Sequence, residues 1–303
     1  METYQKLPEF LISILNKQYG EEITERILEG YTIKRKVTLR VNTIKTDTNT
    51  IQNKLKSLGI EFEKVTWSPE ALILKKAQEK EIQALKMYEK GEIYLQSLSS
   101  MLPPLILNPQ PDTDILDMAA APGGKTTQIA ALSQNKAHIT ACEMNSIRAE
   151  RLKYNIEKQG ATCIYVMVSD SRKMDEFFSF DSILLDAPCS GSGTLYIDNP
   201  NLEQKFTTKL LEKSVKSQLS LLRKAIKMLK KGQEMVYSTC SILAEENENI
   251  INEILKETKT EIVPIKFKEM ESLPQLPVKI EGTLCICPNE LFEGFFVAKL
   301  RKK

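Results

Sequence analysis

From residue 112 onward the sequence alternates short apolar runs with helical stretches: TDILDMA, KTTQIAALS, AHITACE, SIRAERLKYNIEKQG, TCIYVMVSD and FDSILLDAP follow one another with little between them. Strands separated by helices pair in parallel, and a parallel sheet must be covered on both faces, so this part of the chain is α/β. Sheets of this kind bind ligands beyond the carboxyl ends of their strands. The residues just past each apolar run are therefore where chemistry is to be sought.

The flanking segments carry other patterns. Phe10, Leu11, Ile14 and Leu15, then Ile23, Ile27 and Leu28, broken at Tyr19-Gly20, predict two short helices. VTLRVNTI (37–44) alternates, TNTIQNKLKSLG (48–59) is helical with a glycine stop, and IEFEKVTW (60–67) and ALILKK (71–76) return to strand character. Together they predict a small α/β module with βαβ organisation over residues 31–95. The expected division is 1–95 and 96–303. Beyond the alternating region come a helix over 202–231, the strand EMVYSTC (234–240), a helix over 245–257 and closing strands around 283–287 and 294–300.

The first strand end reads DMAAAPGGKTTQI (117–129), a turn of small residues that opens a helix and carries Lys125. Backbone N–H groups and a lysine at a helix N-terminus favour an anionic or polar ligand. Residues 119–126 fit a relaxed phosphate-binding loop, with Ala119 where the first glycine belongs and Pro122 within it. The next strands point elsewhere. Glu143 follows the second strand and Asp170 the third, and a carboxylate at such a position accepts hydrogen bonds from ribose hydroxyls. Each acid alone is equally suited to capping a helix. Combined with the glycine turn, they suit an adenosine-containing cofactor without phosphates, S-adenosylmethionine.

The fourth and fifth strands end in Asp186-Ala187-Pro188-Cys189 and Thr239-Cys240, which puts two thiols at the cofactor edge. Cys142, Cys163, Cys285 and Cys287 lie inside apparent strands and read as inert small apolar residues. The six cysteines form no Cys-x-x-Cys pair, so reduced thiols in a cytoplasmic protein with no bound metal are expected. The lone histidine, His138, leaves proton chemistry to carboxylates, lysine or cysteine. No apolar window is long enough to suggest a membrane span.

AAAPGGKT, LLDAPCSGSG and VYSTCSILAEENE resemble the motifs of the RNA cytosine-C5 methyltransferases of the NOL1/NOP2/Sun family. VTLRVNTIK, YLQSLSSMLP and GFFVAKLRK are similar to further segments of that family, so the resemblance runs over nearly the whole chain from residue 35. It implies a Rossmann-like S-adenosylmethionine-dependent domain with a mostly parallel seven-stranded sheet, preceded by a small α/β RNA-recognition-like module. It implies Cys240 as nucleophile, Cys189 as the thiol aiding product release, Asp186 as the carboxyl at the cytosine, and Lys125 near cofactor and base. It also implies a cofactor pocket of Ala119, Ala120, Ala121, Pro122, Gly123, Gly124, Lys125, Glu143, Arg148, Asp170 and Asp186. The chemistry explains the residue types: C5 of cytosine is a poor nucleophile until a thiolate adds at C6. The expected partner is ribosomal or transfer RNA, with the protein acting as a monomer.

Two other readings compete. A non-catalytic RNA-binding assembly factor would share the fold, but the intact Cys240, Cys189, Asp186 and Lys125 argue against it. A P-loop hydrolase should not tolerate Ala119. Two departures from the family pattern stand out. The stretch LYIDNPNLEQKF (195–206) lacks the arginines that relatives carry there, and Ala244 replaces a proline, a change expected to affect only the entry to the following helix.

A net charge of +2 conceals a basic stripe. Lys205, Lys209, Lys213, Lys216, Arg223, Lys224, Lys227, Lys230 and Lys231 share one side of the expected 202–231 helix, against only Glu203 and Glu212. A solvated face is the ordinary meaning of such a stripe, and phosphate tracking the functional one.

Overall fold

A computed structural model describes residues 7–199, 202 and 206–303. Two helices come first, α1 (Glu9–Tyr19) and α2 (Glu21–Thr32), each with an apolar stripe: Leu11, Leu15 and Tyr19 on α1, Ile27, Leu28 and Tyr31 on α2. The stripes pack into the core of the large sheet beside Ile242, Leu243 and Cys285.

The small sheet follows. Its elements are β1 (Thr38–Val41), α3 (Thr48–Ser57), β2 (Phe62–Val65), β3 (Ser68–Leu74), α4 (Glu79–Gln83), α5 (Lys86–Glu89) and β4 (Ile93–Leu95). The strand order is β2-β3-β1-β4, antiparallel throughout, so β3 lies between the two strands that α3 connects. The Asp47 side chain accepts from Thr50 N to start α3, and Leu39, Val41, Ile51, Leu55, Leu72 and Ile93 form a separate core.

The large sheet runs β10-β12-β9-β8-β5-β6-β7, with β11 beside β12. Its elements, from α6 (Leu98–Leu107), are β5 (Asp114–Asp117), α7 (Gly124–Leu132), β6 (His138–Cys142), α8 (Ser146–Gln159), β7 (Ile164–Met167), β8 (Phe180–Asp186), α9 (Thr208–Met228), β9 (Leu229–Thr239), α10 (Glu248–Glu257), β10 (Thr260–Ile262), β11 (Leu284–Ile286) and β12 (Phe295–Lys302). The pairings β7-β6, β6-β5, β5-β8 and β8-β9 are parallel, and only the strands beyond β9 run antiparallel. Helices α6, α7 and α8 cover one face, and α1, α2, α9 and α10 the other.

The basic helix is shorter than the sequence pattern predicts. It spans Thr208–Met228, because β9 begins at Leu229 by pairing with Phe180 of β8. Lys230 and Lys231 therefore lie on a strand, and Lys230 Nζ turns to Asp181 at 2.9 Å and Asp114 at 3.4 Å. Glu203 and Lys205 lie outside the described residues. The helix expected over 245–257 starts at Glu248, since residues 241–247 are held in turns by their own polar side chains. Among the described residues no helix is long and apolar enough to cross a membrane.

Candidate active site

The carboxyl ends of β5, β6, β8 and β9 meet at one edge. Past β8 and β9 lie the two loop cysteines, and their sulfurs are 3.0 Å apart, in hydrogen-bond contact. Hydrogen bonds stitch the two loops together. Ser190 N and Oγ donate to Glu246 at 2.7 and 2.5 Å, Gly193 N donates to Cys240 O at 3.0 Å, and Ile242 N donates to Ser192 Oγ at 3.0 Å. Gly193 is needed for this closure, because a Cβ there would collide with the Gly294 carbonyl. Helices α1 and α2 back the loops: Tyr19 OH donates to Ile242 O and Tyr31 OH to Ser192 O, both at 2.6 Å. Ala244 also belongs to this support. Its N–H donates to Gln18 Oε1 at 2.9 Å, a bond proline could not make, so its effect reaches α1 rather than only the helix entry.

Lys125, one residue into α7, crosses to β8 and donates to Asp186 Oδ2 at 2.7 Å. Ser238 Oγ donates to the other carboxylate oxygen at 2.7 Å. Burial would lower the lysine pKa, but the charge and hydrogen bond of Asp186, with Cys240 and Asp117 nearby, raise it above its ordinary value. Lys125 is thus held as a cation, with the Phe295 ring 5.5 Å from its Nζ. On Cys189, the hydrogen bond to Cys240, then burial, then the charges of Cys240 and Glu246, push the thiol well above the usual range. Cys189 is a thiol that keeps its proton.

Beneath Lys125 lies Asp117, the last residue of β5. Its Oδ2 accepts from Thr126 Oγ1 at 2.7 Å, while Oδ1 is buried with no partner among the described residues. Burial pushes this carboxyl up to about 6, against the Thr126 hydrogen bond. Asp117, Ala119, Lys125, Asp186, Cys240 and Phe295 line a cleft of about 780 Å³ that opens toward the small sheet, with Tyr94 and Lys158 also on its wall.

A second, smaller cavity of about 70 Å³ shares Ala119 with that cleft and is lined by Glu143, Met144, Arg148 and Asp170. Here the expected ribose acids already have local partners. Glu143 is buried, accepts from Asn145 N at 2.8 Å and lies 3.4 Å from Arg148 NH1. Arg148 NH2 in turn donates to Ala121 O at 2.9 Å, tying α8 to the glycine turn. Asp170 caps a short 3-10 turn and takes a bidentate bond from Arg172, which holds its carboxyl below the ordinary range. Residues 119–124 form the turn itself, with a cis Ala121-Pro122 bond and Gly123 at φ +108°, a conformation that favours glycine. The structure thus gathers Lys125, Asp186, Cys189 and Cys240 in one place, and Glu143, Arg148 and Asp170 in the adjoining cavity.

The remaining cysteines stand apart from the thiol pair, Cys142 at the end of β6 facing Met174. Burial raises the Cys142 thiol to about 12, and raises Cys163, Cys285 and Cys287 as well. His138 starts β6 at the opposite end of the sheet, exposed and 3.4 Å from Asp114. On α9 the basic stripe divides. Arg223 pairs with Glu257, and Lys224 and Lys227 with Glu176, whereas Lys209, Lys213 and Lys216 have no ion pair among the described residues.

The sequence motifs contain three further site residues that residue type and spacing did not single out. Asp117 opens the glycine motif, Ser238 precedes the strand-end Thr-Cys, and Glu246 sits in what reads as a solvated acidic run. The available signal was their fixed offset from Lys125 and Cys240.

Lys125 is turned to the Asp186 carboxylate at the end of β8. The fold is that of a Rossmann-like methyltransferase, with Cys240 on the wall of its cleft and Cys189 in contact with it. Residues 104–301 match the family model described as 16S rRNA methyltransferase RsmB/F, and residues 7–81 match that of the RsmF/B-like ferredoxin-like domain. The chain belongs to the RsmB/F methyltransferase family. It is 34% identical over 307 residues to the probable ribosomal RNA small subunit methyltransferase B of Bacillus subtilis (strain 168), covering 98% of this chain and 66% of that protein. It is 37% identical over 221 residues to a tRNA (cytosine(72)-C(5))-methyltransferase of Pyrococcus horikoshii, covering 72% and 54%. The solved structure of NSun6 from Pyrococcus horikoshii with SFG, an S-adenosylmethionine analogue, has a TM-score of 0.88 and 25% identity over 99% of both chains. The chain spans from about half to two thirds of the length of these curated relatives.

Proposed function

We propose that the chain methylates cytidine at C5 in RNA, using S-adenosylmethionine, through a covalent adduct of Cys240. The observation that carries this reading is the 3.0 Å contact of two thiols beside the Lys125–Asp186 pair. The family match favours small-subunit ribosomal RNA as substrate, and the Pyrococcus tRNA enzyme keeps tRNA as a second reading.

The residues fit the cofactor. The orphaned Asp117 Oδ1 is an acceptor suited to an ammonium group, and Glu143 and Asp170, lining the adjoining cavity, would hold the adenosine. When bound, the cofactor supplies an electrophilic methyl group on sulfur.

The protein's own groups do the rest. Cys240, as thiolate, adds to C6 of the cytosine and pushes an electron pair toward N3. The Lys125 ammonium, bonded to Asp186, gives up a proton that passes through that carboxylate to N3, which meets the charge built up by addition. C5 is then electron-rich enough to take the methyl group. Once C5 has lost its proton to a base in the cleft, the C6–S bond breaks, the ring double bond is restored and N3 returns its proton to the Lys125–Asp186 pair. Cys189, still protonated, hands its proton to the departing sulfur. Bisulfite sequencing of RNA from a strain lacking the gene tests the reading: one or more 5-methylcytidines should disappear, and an unchanged pattern would contradict it.

A further inference from the structure

Glu246 is fully buried, and no lysine, arginine or histidine among the described residues pairs with it. Its carboxylate instead accepts from Ser190 N, Ser190 Oγ and, at 3.1 Å, Gln218 Nε2. Three donors converge on two oxygens, which a carboxylate satisfies and an amide does not, because a glutamine would turn an N–H toward a donor. A brace for the loop could be neutral. A buried charge is expensive, so its location calls for a reason.

That location is the Cys189 side of the thiol pair. Ser190, which Glu246 grips at both N and Oγ, is the residue after Cys189, and the carboxylate's charge is felt at the Cys189 thiol. On the other side of the pair stands the Lys125 cation, whose charge couples to Cys240. The titratable groups facing Cys189 are Cys240 past β9, Glu246 before α10 and Tyr237 on β9, while α9 presents the neutral Gln218.

We propose that Glu246 is a positioning residue that assigns the roles of the two thiols: its buried carboxylate keeps Cys189 as the proton-bearing partner and leaves Cys240 as the nucleophile. The assignment rests on reading the pair as nucleophile and release group. Without that charge Cys189 keeps its burial and its bond to Cys240, 3.0 Å away, but holds its proton less firmly.

The test uses the protein without cofactor or RNA. Iodoacetamide is attacked by a thiolate, which displaces iodide and leaves a thioether, and mass spectrometry reads each cysteine separately across pH 6–10. Wild-type Cys240 should react about tenfold faster than Cys189 near pH 8. In Glu246→Gln the Cys189 profile should move to lower pH by about one unit, while Glu246→Asp keeps the wild-type order. An unmoved Cys189 profile in Glu246→Gln overturns the proposal. So does a parallel speeding of both thiols at every pH, which is what a merely loosened loop would give. If Glu246→Gln does not fold, Glu246→Asp carries the test: a Cys189 profile that stays above that of Cys240 upholds the proposal, and one that falls to that of Cys240 overturns it. Failure of the methyltransferase reading is separable, since it would show as this alkylation pattern in a protein that forms no 5-methylcytidine.

Discussion

Lys125 Nζ and Asp186 Oδ2 lie 2.7 Å apart, joining the glycine turn after β5 to the end of β8. Each residue belongs to a different sequence motif, and the ion pair places both at the cleft that also holds Cys240. Because Ser238 fixes the second carboxylate oxygen, the pair has one geometry.

Removing the cation should therefore cost chemistry more than folding. Lys125→Met leaves Asp186 with Ser238 alone and takes away the proton shared with N3. The methyl-transfer rate in single-turnover assays should fall by about 10²–10³-fold. A loss below threefold would show that the pair is only structural.

Asp117 gives the fold a pH dependence. Its carboxyl stands at about 6 in the native protein against ~3.9 in an unfolded chain, so between those values the native state binds more protons. Stability contributed by the protonated carboxyl is then lost as pH rises through that window. Asp117→Asn should flatten the slope of stability against pH between ~4 and ~6 and gain on the order of 1–3 kcal/mol at neutral pH. The same variant should bind S-adenosylmethionine less tightly. Melting temperatures across pH, together with calorimetric titration of the cofactor, check both halves, and an unchanged slope contradicts the first.

The small sheet is pinned to the catalytic helix by a buried arginine. Arg40 on β1 donates to Gln96 Oε1 at 3.0 Å, Thr127 Oγ1 at 3.1 Å and Gly124 O at 3.4 Å. Burial lowers its pKa to about 10, which still leaves it charged at neutral pH. Arg40→Met strands three acceptors on the two sides of that junction and should cost about 2–4 kcal/mol in urea unfolding. A cost under about 0.5 kcal/mol would mean that the contacts are not formed in solution.

These sites were unequally legible in the sequence. The parallel sheet and its strand-end residues were readable because apolar period and glycine turns are local signals. Helix α6 was not, since Pro103 and Pro104 lie within it and interrupt the helical pattern. The end of α9 at Met228 was masked by basic residues that continue the helical stripe. What ended the helix was pairing of Leu229 with Phe180, a contact between residues 49 apart. Glu246 was illegible for a related reason: AEENE reads as solvated, and its burial depends on Ser190 and Gln218, 56 and 28 residues away. The support that α1 and α2 give the thiol loops spans more than 150 residues.

The divided stripe on α9 makes a prediction about RNA. Arg223, Lys224 and Lys227 are engaged by acids, whereas on this helix Lys209, Lys213 and Lys216 have no ion pair among the described residues. A triple glutamate variant of the latter should weaken RNA binding and reduce the slope of log affinity against log salt by about 2–3. The matching variant of the former three should leave the slope unchanged. Equal slopes in all three proteins would remove the helix from the RNA footprint.

The direct test of the covalent account is trapping. Incubated with cofactor and substrate RNA, Cys189→Ala should accumulate an RNA–protein adduct stable to denaturing gels, joined through Cys240, because addition and methyl transfer proceed while release is slowed. Cys240→Ser should give none. An adduct of equal yield in Cys240→Ser would contradict the assignment of the nucleophile and with it the central claim.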